Sequence, residues 1–136
     1  MRKKKIIIFG ASGFIGKNIS IKFKKIFKNY QIVGTYLKNK PSIPGIKLVK
    51  CDLTKPNQVK KIIKNCEILI QAAATTSGAK EIISKPYIHV NNNAIMNSVV
   101  TKLAFDNYVK HVIIFSCTLM YRSSIKPLRE IDFDAN

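Results

Sequence analysis

Gly10, Gly13 and Gly16 stand three residues apart in Gly10-Ala11-Ser12-Gly13-Phe14-Ile15-Gly16. The chemistry this spacing can do is to let a phosphorylated ligand approach bare backbone. A pyrophosphate at a helix N-terminus receives N–H groups from the first helical turn, and side chains there would collide with it. Gly10 permits the tight turn, Gly13 the close approach, and Gly16, one turn into the helix, lets that helix pack against the preceding strand. The same pattern in an ordinary loop carries no such meaning. Here it follows Ile6-Ile7-Ile8-Phe9 and opens an amphipathic helix, and that context predicts a dinucleotide-binding turn, with Ser12, Phe14 and Ile15 sharing the contact surface.

The elements that must position the turn are legible along the chain. Lys5 to Phe9 is a short, continuously apolar run, as expected of a central parallel strand buried on both faces. Met1 to Phe9 imitates a signal peptide, but Gly10 ends its apolar run too soon. From Phe14 to Phe27 the spacing predicts a helix, with Ile15, Ile19, Phe23 and Phe27 on one face and Lys17, Lys22, Lys24 and Lys28 on the wet one. Gln31 to Tyr36 and Lys47 to Cys51 read as strands, separated by a loop marked by Pro41, Pro44 and Gly45. Val59 to Ile63 lies in a short helix for which Thr54 is a candidate cap. Glu67 to Gln71 is a fourth strand leading into Ala72-Ala73-Ala74. After Pro86 a helix runs from about His89 to Asp106, and Val112 to Ser116 is a fifth strand.

Strands alternating with helices imply right-handed crossovers and an α/β fold: a Rossmann-type doubly wound parallel sheet. Residues 1–121 are expected to form one NAD(P)-binding domain. Residues 122–136, with Ser123, Ser124, Pro127, Asp132 and Asp134, read as a loop.

At 136 residues and 46% apolar content the chain can bury one real core, but it is short for a complete dinucleotide-dependent enzyme. Its formal charge of +17 raises the question of a nucleic-acid or anionic-membrane partner. The lysines fall mostly on predicted helix faces and element ends, the pattern of a solvated surface, and no zinc-ligand spacing, aromatic RNP pattern or basic region with heptads accompanies them. A nucleic-acid partner is therefore not expected. Cys51, Cys66 and Cys117 are odd in number and lack metal spacing, so a cytoplasmic location without disulfides or metal is expected. No stretch has the length of a membrane-spanning helix.

The Gly-x-x-Gly-x-x-Gly spacing resembles that of the extended short-chain dehydrogenase/reductases, the family of NAD-dependent sugar-nucleotide epimerases, dehydratases and reductases. Further resemblances follow in order. Asp52-Leu53-Thr54 is similar to the Asp-Leu whose acid meets the adenine amino group, and Gln71-Ala72-Ala73-Ala74 to the segment lining the cofactor. Lys85-Pro86, Asn91-Asn92-Asn93 and Val109-Lys110 resemble the next helix and strand. Ser116-Cys117-Thr118-Leu119-Met120-Tyr121 resembles the Ser-Ser-x-x-x-Tyr segment. The resemblance covers essentially the whole chain, and its flavour is nearest the GDP-fucose synthase type. It implies NAD or NADP as cofactor and a nucleotide sugar as substrate.

Cofactor choice turns on the end of the second strand, where an acid about 20 residues beyond the turn would accept from the ribose 2'-hydroxyl of NAD. The segment is Val33-Gly34-Thr35-Tyr36-Leu37-Lys38-Asn39-Lys40, and the first acid in the chain is Asp52. Lys38 or Lys40 could neutralise a 2'-phosphate, which favours NADP; the competing reading leaves both lysines simply exposed at a strand end.

The resemblance also implies a Tyr-x-x-x-Lys acid/base pair and a Ser or Thr after the fifth strand that orients the substrate hydroxyl. That Ser/Thr position falls on Cys117. A thiol is a poor hydrogen-bond partner, so either Thr118 or Ser116 substitutes or the site is degraded; alternatively Cys117 is a small buried residue at a strand end. Tyr30, Tyr87, Tyr108 and Tyr121 are followed four residues later by Gly34, Asn91, Val112 and Ile125. Tyr36 has Lys40 at that offset, but lies on the adenosine side, far from any nicotinamide ring. The resemblance therefore implies a sheet truncated after the fifth strand, with residues 122–136 leading to a missing catalytic and substrate-binding region: a truncated or split family member that is inactive alone and is completed by a complementing polypeptide, or else a homo-oligomer. A non-enzymatic dinucleotide sensor and a basic nucleic-acid-binding module are the alternatives.

Overall fold

The computed structural model describes residues 4–76, 78–116 and 121–133. Its frame is a five-stranded, wholly parallel sheet in the order β3-β2-β1-β4-β5. The strands are β1 (Lys4–Phe9), β2 (Tyr30–Tyr36), β3 (Lys47–Lys50), β4 (Cys66–Gln71) and β5 (His111–Ile114). Between them run helices α1 (Phe14–Ile26), α2 (Pro56–Ile63), α3 (Ala79–Ser84) and α4 (Tyr87–Asp106). β1 is central because Ile6, Ile7, Ile8 and Phe9 are all fully buried, which only a strand covered on both faces achieves.

Alternation along β1 divides its side chains between two cores. Ile7 and Phe9 join Val59 and Ile63 of α2 and Met96, Val100 and Ala104 of α4. Ile6 and Ile8 join Ile32 and Ile70, with Ile19, Phe23 and Phe27 packed from the α1 side. The predicted stripe thus holds for Ile19, Phe23 and Phe27, the last just beyond α1, while Ile15 is exposed and Gly16 and Ser20 occupy the tight contact. Met96, Val100 and Ala104 recur every four residues and form the buried stripe of α4.

β5 differs. Val112, Ile113, Ile114 and Phe115 are all exposed, so neither face of this edge strand is covered among the described residues.

Several expectations change in detail, among them the fifth strand, which runs His111–Ile114 rather than Val112 to Ser116. Thr54 does not cap α2: the flanking residue is Lys55 with Pro56 at the first helical position, and the Thr54 hydroxyl donates to Asp52 instead. α3 is an additional helix, and α4 begins at Tyr87 rather than His89. The tail is not wholly loop, since Glu130–Asp132 forms a 3-10 turn tied by the Arg129 N–H to Asp132 Oδ2 at 2.7 Å. Among the described residues no helix is long and apolar enough to cross a membrane.

Candidate functional site

The C-terminal ends of β1 to β4 open on one cleft of about 560 Å³. It lies where the strand order reverses, with β2 and β3 to one side of β1 and β4 and β5 to the other. In open parallel sheets this crevice is where ligands bind.

Its floor is the β1–α1 turn, whose three glycines have three different reasons to be glycine. Gly10 has φ +79°, and a Cβ there would stand 2.7 Å from the Cα and amide nitrogen of Ala73. A Cβ at Gly16 would fall on the Gly10 carbonyl group and lie 3.1 Å from Ala11 Cα. Both are therefore required by the protein itself. Gly13 is not: it has an ordinary negative φ, and a Cβ would meet no closer neighbour than the Gly10 carbonyl oxygen at 3.5 Å. That space belongs to the cleft, so the protein's own packing leaves the absence of a side chain at Gly13 unexplained. No side chain caps α1, which leaves its first-turn N–H groups free to meet an anion. Two further bonds lock the turn to β2: Gly10 N–H donates to Thr35 Oγ1 at 3.2 Å and Ala11 N–H to the Thr35 carbonyl at 2.8 Å.

The wall beside β3 carries Cys51, Asp52, Leu53 and Thr54. Asp52 Oδ1 accepts from the Thr54 hydroxyl at 2.7 Å and the Thr54 N–H at 3.0 Å, and chiefly the hydroxyl bond holds its carboxyl below the usual range. It is the only acid lining the cleft among the described residues. Cys51 is buried, and burial, aided by the Asp52 charge, pushes its thiol up to about 11.

The opposite wall, residues 72–76, is pinned to α4 by side-chain amides. Asn93 accepts from the Thr75 N–H at 2.8 Å and donates to the Thr75 carbonyl at 3.1 Å. Buried Gln71 donates to Asn97 at 3.1 Å.

Of the residues singled out in the sequence, Gly10, Ser12, Gly13, Phe14, Ile15, Asp52, Leu53, Ala72, Ala73 and Ala74 meet in this one cleft. Gly16 lies behind it as a packing residue. Lys38 is exposed and follows Leu37, the last β2-side residue of the lining, without joining it. Cys117 and Thr118 lie outside the described residues. Thr35, Thr75, Asn92 and Met96 also line the cleft, and no signal in the sequence separates them from neighbours of the same type.

Residues 6–134 match the model of the NAD dependent epimerase/dehydratase family. No curated protein matches the chain. Among solved structures, an epimerase from Methanothermobacter thermautotrophicus superposes with a TM-score of 0.78 at 19% identity, over 98% of this chain and 41% of its own. The UDP-glucose 4-epimerase of Bifidobacterium longum, solved with NAD+ and UDP, gives 0.78 at 18% identity over 93% of this chain and 41% of its own. Uronate dehydrogenase from Agrobacterium tumefaciens gives 0.70 at 17% identity over 87% and 42%. The chain thus spans about two fifths of the length of the structures it matches.

Proposed function

The chain belongs to the NAD dependent epimerase/dehydratase family, and from that membership we propose that it is the dinucleotide-holding part of a nucleotide-sugar epimerase, dehydratase or reductase, dependent on a further polypeptide segment for turnover. The observation that carries the reading is Gly13, which lines the cleft and where a Cβ would meet nothing closer than the Gly10 carbonyl oxygen at 3.5 Å. The residues present fit a dinucleotide. The first-turn N–H groups of α1 receive its pyrophosphate, Asp52 accepts from the adenine amino group, and Ala72, Ala73 and Ala74 line its length. When bound, the cofactor supplies hydride transfer at its nicotinamide ring.

NADP is the preferred form in this reading, because the end of β2 carries Leu37 and Lys38 and no acid to accept from a free 2'-hydroxyl. Cys117 and Thr118 stand in sequence where the family orients the substrate hydroxyl, and Thr118 is the better donor of the two.

The need for a further segment rests on two observations: the chain has no Tyr-x-x-x-Lys pair on the nicotinamide side, and among the described residues the apolar side chains of β5 stay exposed on both faces although strands of parallel sheets are normally covered. The partner is a polypeptide that packs on β5 and brings the acid/base pair. The test is NADPH oxidation with a panel of keto-sugar nucleotides and the purified 136-residue chain alone. Positioned acid/base groups contribute about 10² to 10⁴ in rate, so no turnover above background is expected. Robust turnover that survives repurification would overturn the dependence on a second segment.

A further inference from the structure

The far end of the sheet, where β1, β2 and β3 begin, holds a second cleft of about 530 Å³. Its lining includes Lys5 of β1, Lys24 of α1, Lys28 just beyond α1 and Lys47 at the start of β3. The Lys5 ammonium is engaged, donating to the Ile62 carbonyl at 2.7 Å, so three cations, from α1, the segment after it and β3, share the concavity, and among the described residues no acid lines it.

The acids elsewhere do not offset them. Glu67 pairs with Lys4 and Lys110, Asp106 with Lys102, and Asp132 with Arg129. Lys24, Lys28 and Lys47 have no acidic partner among the described residues. Like charges gathered in a concavity repel and focus a positive potential, and a bound anion relieves both. The backbone makes room for this arrangement. Gly45 sits at φ +73°, and a Cβ there would press on Lys24 Cε at 3.1 Å, so the bare glycine lets the lysine stem lie over the loop.

The donor set selects the anion. Lysine ammoniums are compact point charges suited to the dense charge of phosphoryl oxygens, and three of them on separate segments match a ligand that carries several anionic groups. The aromatic side chain present, Tyr30, meets Phe27 edge to face at 5.6 Å and lies beneath the Lys4 ammonium at 5.8 Å, so its ring is already engaged. We propose that this cleft is a second anion site, separate from the glycine turn, and that it takes a short linear oligophosphate.

The test titrates inorganic tripolyphosphate into the full chain at about 0.15 M salt, where weak surface attraction is screened. Gly13→Val is used as background so that the glycine turn does not contribute. One saturable equivalent is expected. It should weaken by at least about tenfold in Lys24→Glu/Lys28→Glu/Lys47→Glu and remain in Lys60→Glu/Lys61→Glu/Lys80→Glu, which changes net charge equally outside the cleft. Absence of saturation, or equal loss in both triple variants, would overturn the site. So would a single-stranded oligonucleotide that binds through the same lysines and is not displaced by tripolyphosphate. NADP titration of the unmodified chain reports separately on the glycine turn.

Discussion

Gly10 and Ala73 approach so closely that a Cβ built on Gly10 would stand 2.7 Å from both the Cα and the amide nitrogen of Ala73. The contact joins the floor of the cleft to its β4-side wall, so the turn and the wall keep a fixed relation only while residue 10 lacks a side chain. Gly10→Ala should cost about 2 to 5 kcal/mol, the sum of a left-handed backbone penalty and overpacking. Gly16→Ala should cost about 1 to 3 kcal/mol by overpacking alone. Gly13→Ala, with ordinary φ and space, should leave stability within about 1 kcal/mol. Urea denaturation of the three variants checks this ranking; a Gly13 variant as unstable as the Gly10 variant would contradict it.

Asn93 satisfies both backbone groups of Thr75 in the opposite wall. Asn93→Leu keeps similar bulk but removes both bonds, each worth about 1 kcal/mol. Faster amide exchange across residues 72–76 and several-fold weaker NADP binding are expected, with little change elsewhere. Exchange that speeds up uniformly would point to general destabilisation instead.

The buried thiols set an alkaline limit. Burial pushes Cys51 and Cys66 up to about 11 from 9.0. A thiol that holds its proton more tightly folded than unfolded gives stability that is fully present below its unfolded pKa and lost as pH rises toward its folded value. The loss should therefore run from about pH 9 to about pH 11, on the order of 2 kcal/mol per thiol. Denaturation midpoints of the unmodified chain and Cys51→Ala/Cys66→Ala across that range isolate the effect, since lysine titration is common to both. Parallel pH profiles would contradict it.

Cofactor choice is tested at the end of β2. Lys38→Ala/Lys40→Ala should weaken NADP by roughly fivefold to tenfold, the scale of one exposed charge-assisted contact, and leave NAD nearly unchanged. A clear preference of the unmodified chain for NAD would show that the missing acid does not govern selection.

The parts of the fold legible in the sequence are those whose burial imposes a pattern. Ile6-Ile7-Ile8-Phe9 is apolar without interruption because both faces of β1 are covered, and the glycines after it are required by backbone contacts at Gly10 and Gly16. α3 escaped notice because no described side chain of its six residues is buried, so it has no apolar stripe to read. Thr54 suggested a helix cap, yet the nearer Asp52 carboxylate captures its hydroxyl in a local turn. Asn91, Asn92 and Asn93 are indistinguishable as residue types; only the rotation of α4 against β4 aims Asn93 at Thr75 and leaves Asn92 lining the cleft. The lysine cleft was illegible for a similar reason, since Lys24, Lys28 and Lys47 lie on α1, the segment after α1, and β3, and come to one cleft only in the folded sheet.

The most direct measurement is titration calorimetry of NADP against the unmodified chain and Gly13→Val. The unmodified chain should bind one equivalent saturably. The variant should show no heat of binding while melting at nearly the same temperature, because its side chain enters the space proposed for the pyrophosphate while its Cβ meets nothing closer than the Gly10 carbonyl oxygen at 3.5 Å. Equal binding by both chains would contradict the assignment of the glycine turn as the dinucleotide site.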